Sequence, residues 1–339
     1  MLDATLPPLA NEREDLPGLV WAYQLVPGSP PRAVSPADVP AALAAEEGWL
    51  WLHVHLVDQR AHGWVSHTCA LPASASAILD GHDDGFALGH EAGVIHGVSA
   101  DFHREFDRPS AHIGRLVFAV SEHLLVTGRR HPLASVEDVR EKVEAGFAPA
   151  TAFDLFAAIV GAFCRNASAR LSAAGDVLDL VEDHLVSEQA GHERRRLLEI
   201  RRLALSLHRP IAAMVALFAD EDRDDWLLPP AGHDVLRRLA ARLATLDRDV
   251  ATVNDRARLL QDEIAAQAAE GTNRSLRTLT VVSALMLPGT LVAGIFGMNT
   301  AGLPLTGGPS GFWIALAISA IATGLLYWIL VRLGASLRF

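Results

Sequence analysis

A long uncharged stretch near the C-terminus constrains this chain more than any other feature of its sequence. From Thr278 to Val331 there is no Asp, Glu, Lys, Arg or His, whereas charged residues make up 20% of the whole chain. A membrane helix needs about 20 apolar residues, so the stretch is long enough for two. Its middle, "NTAGLPLTGGPSG" (299–311), is rich in turn-forming residues. We therefore predict transmembrane helices at 278–298 and 312–331, joined by a loop at 299–311.

Arginines flank both predicted spans on their outer sides, while the loop between them has neither Lys nor Arg. Arg274 and Arg277 precede the first span, and Arg332 and Arg338 follow the second. By the positive-inside rule, both termini lie in the cytoplasm and the loop lies outside. We expect a multi-pass protein of the bacterial inner membrane with a cytoplasmic tail at 332–339. A pair of buried helices in a large soluble core is the alternative interpretation.

A heptad pattern precedes the first span. Apolar residues recur at alternating spacings of three and four, and charged residues fill the other faces. The seam consists of Leu236, Leu239, Leu243, Leu246, Val250, Val253, Ala257, Leu260 and Ile264. Because no proline interrupts the pattern, we predict one continuous helix from about Val235 to Met298, with residues 235–277 forming a stalk. The alternative is an amphipathic helix that packs within its own subunit and breaks near Gly271.

Residues 1–234 show the pattern of an α+β cytoplasmic domain. Runs with strand character come first, at Gly18–Val26, Trp49–Val57, Ala92–Ala100, Arg115–Ser121 and His123–Gly128. Helical patterns follow at about Ser135–Ala145, Thr151–Ala173, Asp176–Gln189 and His192–Ala219. Strands followed by helices predict a sheet with its helices gathered on one side.

Charge and motif content exclude several function classes. The net charge of −11 argues against nucleic acid as a partner. The sequence contains no GxSxG, HExxH, P-loop or GxGxxG motif, so we expect neither an enzyme nor a cofactor. Its two cysteines, Cys69 and Cys164, lie outside any CxxC pattern and indicate no disulfide framework.

Fifteen histidines are the remaining candidates for metal chemistry. The candidate ligand groups are His53 with His55 on one strand face, His62 with His67, and His82–His90 with Glu91. Imidazole is a common zinc ligand, but none of these groups has the paired spacing of a closed zinc site. Scattered surface histidines are therefore the favoured interpretation. The acidic stretch "DEDRDD" (220–225) is likewise interpreted as a solvated loop that at most holds a weak cation contact.

The end of the first predicted span carries a motif. Gly-Met-Asn at 297–299, in this position, resembles the signature of the CorA family of divalent-cation channels and transporters. The run "LPGTLVAGIFGMN" (287–299) is similar to the family's proline-bearing approach to that motif, and "GWLWLHVHLVD" (48–58) to its tryptophan-bearing strand. The run "LLVTGRRHPLASVEDVREKVEAG" (124–146) resembles a strand-then-helix segment of the ZntB zinc-transporter branch. The resemblance covers essentially the whole chain.

The resemblance implies a fold, an assembly and an ion. It implies a homopentamer in the lipid bilayer, with the first membrane helix lining a central pore and a cytoplasmic funnel above it. "NTAGLP" (299–304) resembles the Asn-x-Gly-Gly-x-Pro run of the zinc branch, and the loop lacks the acidic residue of many magnesium-type members. The resemblance therefore favours Zn²⁺, with Mg²⁺, Co²⁺ or Ni²⁺ as the alternative cargo.

The same motif suggests how an ion would pass. Five Asn299 amides would hydrogen-bond a cation's hydration shell without stripping it, while the Gly297 and Met298 carbonyls lie at the negative end of the helix dipole. By the family's pattern, the pore-lining candidates are Asn273, Leu276, Thr280, Leu287, Thr290 and Asn299, with Leu287 as a hydrophobic gate. Two alternatives stay open: Gly294 and Gly297 serve only close helix packing, or the hairpin merely anchors a coiled-coil sensor.

Overall fold

A computed structural model describes residues 16–45, 47–80, 85–105, 109–186, 193–219, 226–298 and 311–332. The chain divides into two compact units, one ending at Leu260 and one beginning at Gln261. The strands are β1 (Leu19–Leu25), β2 (Arg32–Ala33), β3 (Trp49–His55), β4 (Ala87–Glu91), β5 (Val94–Arg104), β6 (Pro109–Val120) and β7 (Leu124–Arg129). The helices are α1 (Val39–Ala44), α2 (Gln59–Thr68), α3 (Ala73–Asp80), α4 (Ala134–Glu144), α5 (Ala152–Val186), α6 (Glu193–Phe218), α7 (Pro230–Gly297) and α8 (Gly311–Arg332).

The N-terminal unit is built on one seven-stranded sheet with the order β2-β1-β3-β7-β6-β5-β4. Neighbouring strands are antiparallel except for β3 and β7, which pair in parallel with Trp51 opposite Leu125. All five strands predicted from the sequence are present. Strands β2 and β4 at the two edges were not predicted, because neither shows an alternating apolar run.

Helices cover both faces of the sheet, so the prediction of helices on one side is wrong. Strand β3 shows why: Trp49 and Trp51 pack into a core with α4, α5, α6 and the start of α7, whereas Leu50 and Leu52 pack into a second core with α1, α2 and α3. A strand buried on both faces reads as a nearly continuous apolar run, as "WLWLHV" does. The helices between β1 and β5 are only six to ten residues long, which is too short for a helical apolar pattern to stand out in the sequence.

Helix α5 is one continuous helix, where the sequence analysis predicted two with a break near Gly175. Its buried residues include Leu171, Ala174, Leu178 and Val181, which continue the same three-and-four spacing across the glycine. A single glycine costs a helix only about 1 kcal/mol, which the buried stripe outweighs. The predicted helices α4 and α6 lie within one residue of their expected starts.

Helix α7 is also continuous, and it does not break at Gly271. The prediction of one long helix is confirmed, but the stalk interpretation of its heptad seam needs correction. From Leu236 to Val250 the seam is buried in the core of its own chain, which was the alternative interpretation. Farther along, Arg256 pairs with Asp179 of α5 at 2.6 Å and with Glu182. The first half of the seam therefore stabilises the N-terminal unit rather than a subunit interface.

Candidate ion-conduction site

The two apolar helices expose their hydrophobic side chains. In α7, 6% of the most apolar 18-residue window is buried, and in α8 the corresponding figure is 0%. A core helix of a soluble protein would be mostly buried, so this exposure argues against the soluble-core alternative. Trp313 near the start of α8, and Tyr327 and Trp328 near its end, lie where interfacial aromatic residues belong.

The pore-lining candidates on α7 share one side of the helix. All five described candidates are exposed in the single chain: Asn273, Leu276, Thr280, Leu287 and Thr290. At 3.6 residues per turn, the first four project within about 60° of one another, and Thr290 lies about 40° farther round. We call these five residues the α7 stripe. They form an exposed line of alternating polar and apolar groups that begins just before the predicted first span and continues into it.

Helix α8 contacts a different side of α7. Val292 and Phe296 of α7 line a cavity of about 530 Å³ together with Phe312 and Leu316 of α8. By the same helical geometry, Val292 and Phe296 project from the side roughly opposite the α7 stripe. The stripe is therefore not covered by the second span of its own chain, and it is accessible to other copies or to a pore.

The hydroxyl groups of the two threonines in the α7 stripe donate hydrogen bonds to backbone carbonyl oxygens of α7. Thr280 Oγ1 donates to the Leu276 carbonyl oxygen at 2.8 Å. Thr290 Oγ1 lies 3.1 Å from the Met286 carbonyl oxygen and 2.9 Å from that of Leu287. A hydroxyl group has one donor and two acceptor lone pairs, so each oxygen keeps acceptor capacity on its exposed side. Water molecules bound to a cation point their hydrogen atoms outward. The threonine hydroxyl oxygens could therefore accept hydrogen bonds from the water shell of an ion.

The signature motif lies only partly within the described residues. Helix α7 ends at Gly297, and the Met298 N–H donates to the Ile295 carbonyl oxygen at 3.3 Å. A Cβ added at Gly294 or Gly297 would meet nothing within 4 Å in this chain, so intrachain packing does not require glycine there. Asn299 lies outside the described residues. The carbonyl groups of the last turn lack intrahelical partners and present negative partial charge.

His53 is held as a structural residue of the sheet. Its side chain is fully buried, its Nδ1 lies 2.8 Å from Thr127 Oγ1, and its ring stacks on Trp21 at 4.0 Å. Burial lowers the pKa of His53 well below its usual range, with a further contribution from the charge of Arg129. His53 therefore stays neutral at physiological pH. His55 follows it on the same strand face, as predicted.

The other candidate ligands are engaged in separate contacts. His62 Nδ1 lies 3.0 Å from Asp80 Oδ1, and the His90 ring stacks on Trp226 at 5.3 Å. The Glu91 carboxylate accepts a hydrogen bond from the Ser74 backbone N–H at 3.1 Å. In the part of the chain that the structure describes, there is no group of three or more His, Cys, Asp or Glu residues suited to a metal ion. His82 and the acidic stretch 220–225 lie outside that part.

Asp101 is a buried carboxylate that sequence reasoning missed. It accepts hydrogen bonds from the backbone N–H groups of Phe102 at 2.7 Å, Ser135 at 3.1 Å and Val136 at 3.2 Å, and so caps the start of α4 from a neighbouring strand. Burial raises its pKa to about 6, and the hydrogen bonds oppose that rise. No sequence signal could identify this cap, because Ser135 is 34 residues away along the chain.

Two exposed apolar spans after a large α+β unit define a membrane protein with an extensive extramembrane domain. The family model described as "CorA-like Mg2+ transporter protein" matches residues 46–332, which is most of the chain. The chain therefore belongs to this family, as the resemblance indicated. It is a membrane transport protein for divalent cations and not an enzyme.

Individual relatives are similar over nearly the whole chain. The divalent cation transporter CmaX of Pseudomonas aeruginosa is 26% identical, over 96% of this chain and 98% of the relative. The zinc transport protein ZntB of Yersinia enterocolitica is 24% identical, over 91% and 94%. Among solved structures, full-length CmaX superposes with a TM-score of 0.77 at 23% identity, covering 93% of this chain and 98% of that one. The CorA magnesium transporter of Methanocaldococcus jannaschii gives 0.73 at 16% identity, covering 92% and 97%. These structures support the predicted fold of α+β unit, long helix and second span.

Proposed function

We propose that this chain forms a homopentameric channel that transports Zn²⁺ through a central pore. The α7 stripe is the observation that carries the proposal. Asn273, Thr280 and Thr290 place polar groups on one exposed side of a helix whose span has no charged residue. Polar side chains within a span are costly against lipid tails but favourable along a water-filled path. Five copies of the stripe around an axis would line such a path.

The assembly follows from the number of spans. Two helices in one chain cannot enclose a pore, so several copies are needed, and the family resemblance supports five. The proposed chain has a cytoplasmic domain at 1–234, a stalk at 235–277 and spans at 278–298 and 312–331. Because the N-terminal unit runs to Leu260, only the later part of that stalk is left to face other copies. Arginine flanks on the outer sides of both spans support cytoplasmic termini in a bacterial inner membrane.

Conduction is proposed to occur with the ion hydrated. The Asn299 amides form the outer ring, supported by the Gly297 and Met298 carbonyls, and they contact the water shell rather than the metal. Below them, Leu287 is a candidate hydrophobic gate, since a ring of five exposed leucines resists wetting when narrow. Thr280 and Thr290 supply acceptors along the same path. The span offers no His, Cys, Asp or Glu that would retain Zn²⁺.

The choice of Zn²⁺ rests on two supports. Several similar relatives are named as zinc transport proteins, including ZntB of Yersinia enterocolitica. The loop after the motif also lacks an acidic residue, so a carboxylate ring that favours Mg²⁺ is not expected near the mouth. A channel of the same family for Mg²⁺, Co²⁺ or Ni²⁺ is the second candidate. The name of CmaX, a divalent cation transporter, favours that broader specificity.

Metal flux into proteoliposomes tests the proposal directly. Purified protein is reconstituted with a zinc-sensitive dye inside, and oligomer size is checked by native mass spectrometry in mild detergent. We expect wild-type Zn²⁺ uptake by a pentamer, and a sharp loss of uptake in Asn299→Ala without loss of the pentamer. Parallel uptake of Mg²⁺, Co²⁺ and Ni²⁺ in matched liposomes decides between the two candidate cargoes.

Two results would contradict the proposal. The packing alternative predicts that Gly297→Leu disrupts assembly while Asn299→Ala transports like wild type. If both results were observed, the proposed role of Asn299 in conduction would be refuted. The anchored-sensor alternative predicts no uptake of any divalent ion by the intact wild-type oligomer. A stable monomer or dimer would exclude a central pore built from the α7 stripe.

A further inference from the structure

We infer that the N-terminal unit carries a binding site for a small organic anion, a carboxylate or phosphate attached to a short apolar chain. The site is a cavity of about 230 Å³ between strands β5 and β6, helix α3 and the segment that follows β7. It lies outside both membrane spans and shares no residue with the α7 stripe. We call it the β5–β6 cavity.

The β5–β6 cavity has an apolar floor and a cationic mouth. The floor side chains are buried or partly buried: Leu56, Ile78, Val98, Val117 and Leu133. The polar side chains that line it are Arg115, Arg130, His103 and His131, and the described lining residues include no carboxylate. Arg115, Arg130 and His131 are exposed, and His103 is half-buried. This division suits a ligand with an anionic head and an apolar tail.

The charge of the cavity lining is opposite in sign to the net charge of the whole protein. The chain carries a net charge of −11, so two arginines and two histidines gathered around one cavity are not the expected background. The guanidinium group forms paired hydrogen bonds with carboxylate and phosphate oxygens, which fits Arg115 and Arg130 to either head group. Burial and the charges of His131 and His112 lower the pKa of His103, while the weaker effect of Glu105 raises it. An anion bound among these groups would stabilise the protonated imidazole.

Two glycines shape the walls of the cavity. A Cβ on Gly114 would lie 2.5 Å from His103 Cδ2 and 2.9 Å from Leu133 Cδ2, so both side chains rest in the space that this glycine leaves on β6. A Cβ on Gly128 would lie 2.7 Å from Leu56 Cδ1. Three lining side chains thus occupy space that any other residue on the strands would fill.

The volume limits the ligand. At about 230 Å³, the β5–β6 cavity lies below the roughly 300–1,000 Å³ that is usual for pockets of drug-sized ligands. A short-chain acid or a short alkyl phosphate, with its head group at the cationic mouth, therefore fits it better than a ligand of the size of a nucleotide.

Calorimetric titration of the full chain in lipid nanodiscs tests the site, with empty nanodiscs as the blank. The probes are hexanoate and hexyl phosphate, compared with butyrate, hexanol and inorganic phosphate. We expect saturable binding of at least one six-carbon anion, weaker binding of butyrate by about fourfold per methylene removed, and little binding of hexanol or phosphate. Arg130→Gln and His131→Gln should each weaken binding by about tenfold, because the first removes a charged guanidinium donor and the second removes a ring N–H donor.

Arg195→Gln is the matched control. Arg195 lies on α6 with its side chain 89% exposed, so the same change in charge occurs outside the cavity lining and should leave affinity unchanged. Circular dichroism of each variant checks that the fold is intact. The inference is overturned if neither six-carbon anion binds saturably, if hexanol binds as tightly as hexanoate, or if Arg130→Gln and His131→Gln both bind no more weakly than Arg195→Gln.

Discussion

Replacing Thr280 by valine gives a sharp test of the pore assigned to the α7 stripe. Valine has nearly the shape of threonine, so the substitution removes the hydroxyl oxygen with little change in volume. The lost Oγ1 hydrogen bond to the Leu276 carbonyl is a back-bond that the helix does not need, since this carbonyl also accepts from the backbone N–H of Thr280. The substitution therefore tests the acceptor that faces the proposed path.

The expected effect follows from the hydrogen bonds lost to the ion's water shell. One neutral hydrogen bond contributes about 0.5–1.5 kcal/mol net, and we take the water shell of an ion on the axis to bond to two of the five hydroxyl groups at a time. Passage past a ring of five valines should then cost about 1–3 kcal/mol more. Since about 1.4 kcal/mol is a factor of ten, Zn²⁺ uptake into dye-loaded proteoliposomes should fall by about 5- to 150-fold. Thr280→Ser keeps the hydroxyl and should retain uptake near that of wild type.

Thr278 supplies a matched control two positions away. Its Oγ1 donates to the Arg274 carbonyl oxygen at 3.0 Å, the same kind of back-bond, and its side chain is also exposed. Two helical positions turn it about 160° from Thr280, so it projects away from the stripe. Thr278→Val should transport like wild type. Equal uptake by Thr280→Val and wild type, or a larger loss in Thr278→Val, would refute the assignment of this face to the pore.

Two further predictions concern stability and charge. Asp101→Ala leaves the Ser135 and Val136 N–H groups buried without acceptors. The substitution should lower the free energy of unfolding by about 2–4 kcal/mol at pH 7, which would be measured as faster hydrogen exchange in α4. Asp234→Ala, at an exposed position, is the control and should have no such effect. The folded pKa of Asp101 is about 6, above its ordinary 3.8, so proton binding adds stability that is fully present below pH 4 and is lost as pH rises through 6. The deficit of the variant at pH 7, which comes from the lost hydrogen bonds, should therefore widen on acidification. The net charge of −11 per chain lies outside the uncharged stretch, so it should concentrate cations near the N-terminal unit, and Zn²⁺ uptake below saturation should fall as monovalent salt is added. A rate that does not change with salt would show that this field has no part in uptake.

Features with a local signature were predictable from the sequence. The spans follow from the absence of charge between Thr278 and Val331, and the long helix follows from a proline-free heptad pattern. Strand β3 follows from its apolar run. The residues of the α7 stripe were taken from the family's pattern, and counting along a helix then places four of them within about 60° of one another.

Features that depend on distant partners were not predictable. The heptad pattern could not show whether its partner was another subunit or α5 and α6 of the same chain, because the spacing is the same in both cases. The structure places Leu236, Leu243 and Val250 in the intrachain core. The β5–β6 cavity draws its lining from several separate segments, so no spacing rule could find it. The Asp101 cap joins a strand to the helix that follows the next two strands.

The absence of strong ligands along the proposed path has a consequence for selectivity. With association near 10⁹ M⁻¹s⁻¹, a site of nanomolar affinity releases its ion only about once per second, whereas a millimolar site releases it about a million times faster. A ring of His, Cys or carboxylate groups in the span would move the pore towards the slow limit. Amide, hydroxyl and leucine groups keep it near the fast limit, but they sense the ion only through its water shell. Discrimination must then rest on hydrated size and on the cost of rearranging that shell. Ions with similar shells, such as Zn²⁺, Co²⁺ and Ni²⁺, should therefore compete for the same path with similar half-inhibitory concentrations, even where Zn²⁺ is the physiological cargo.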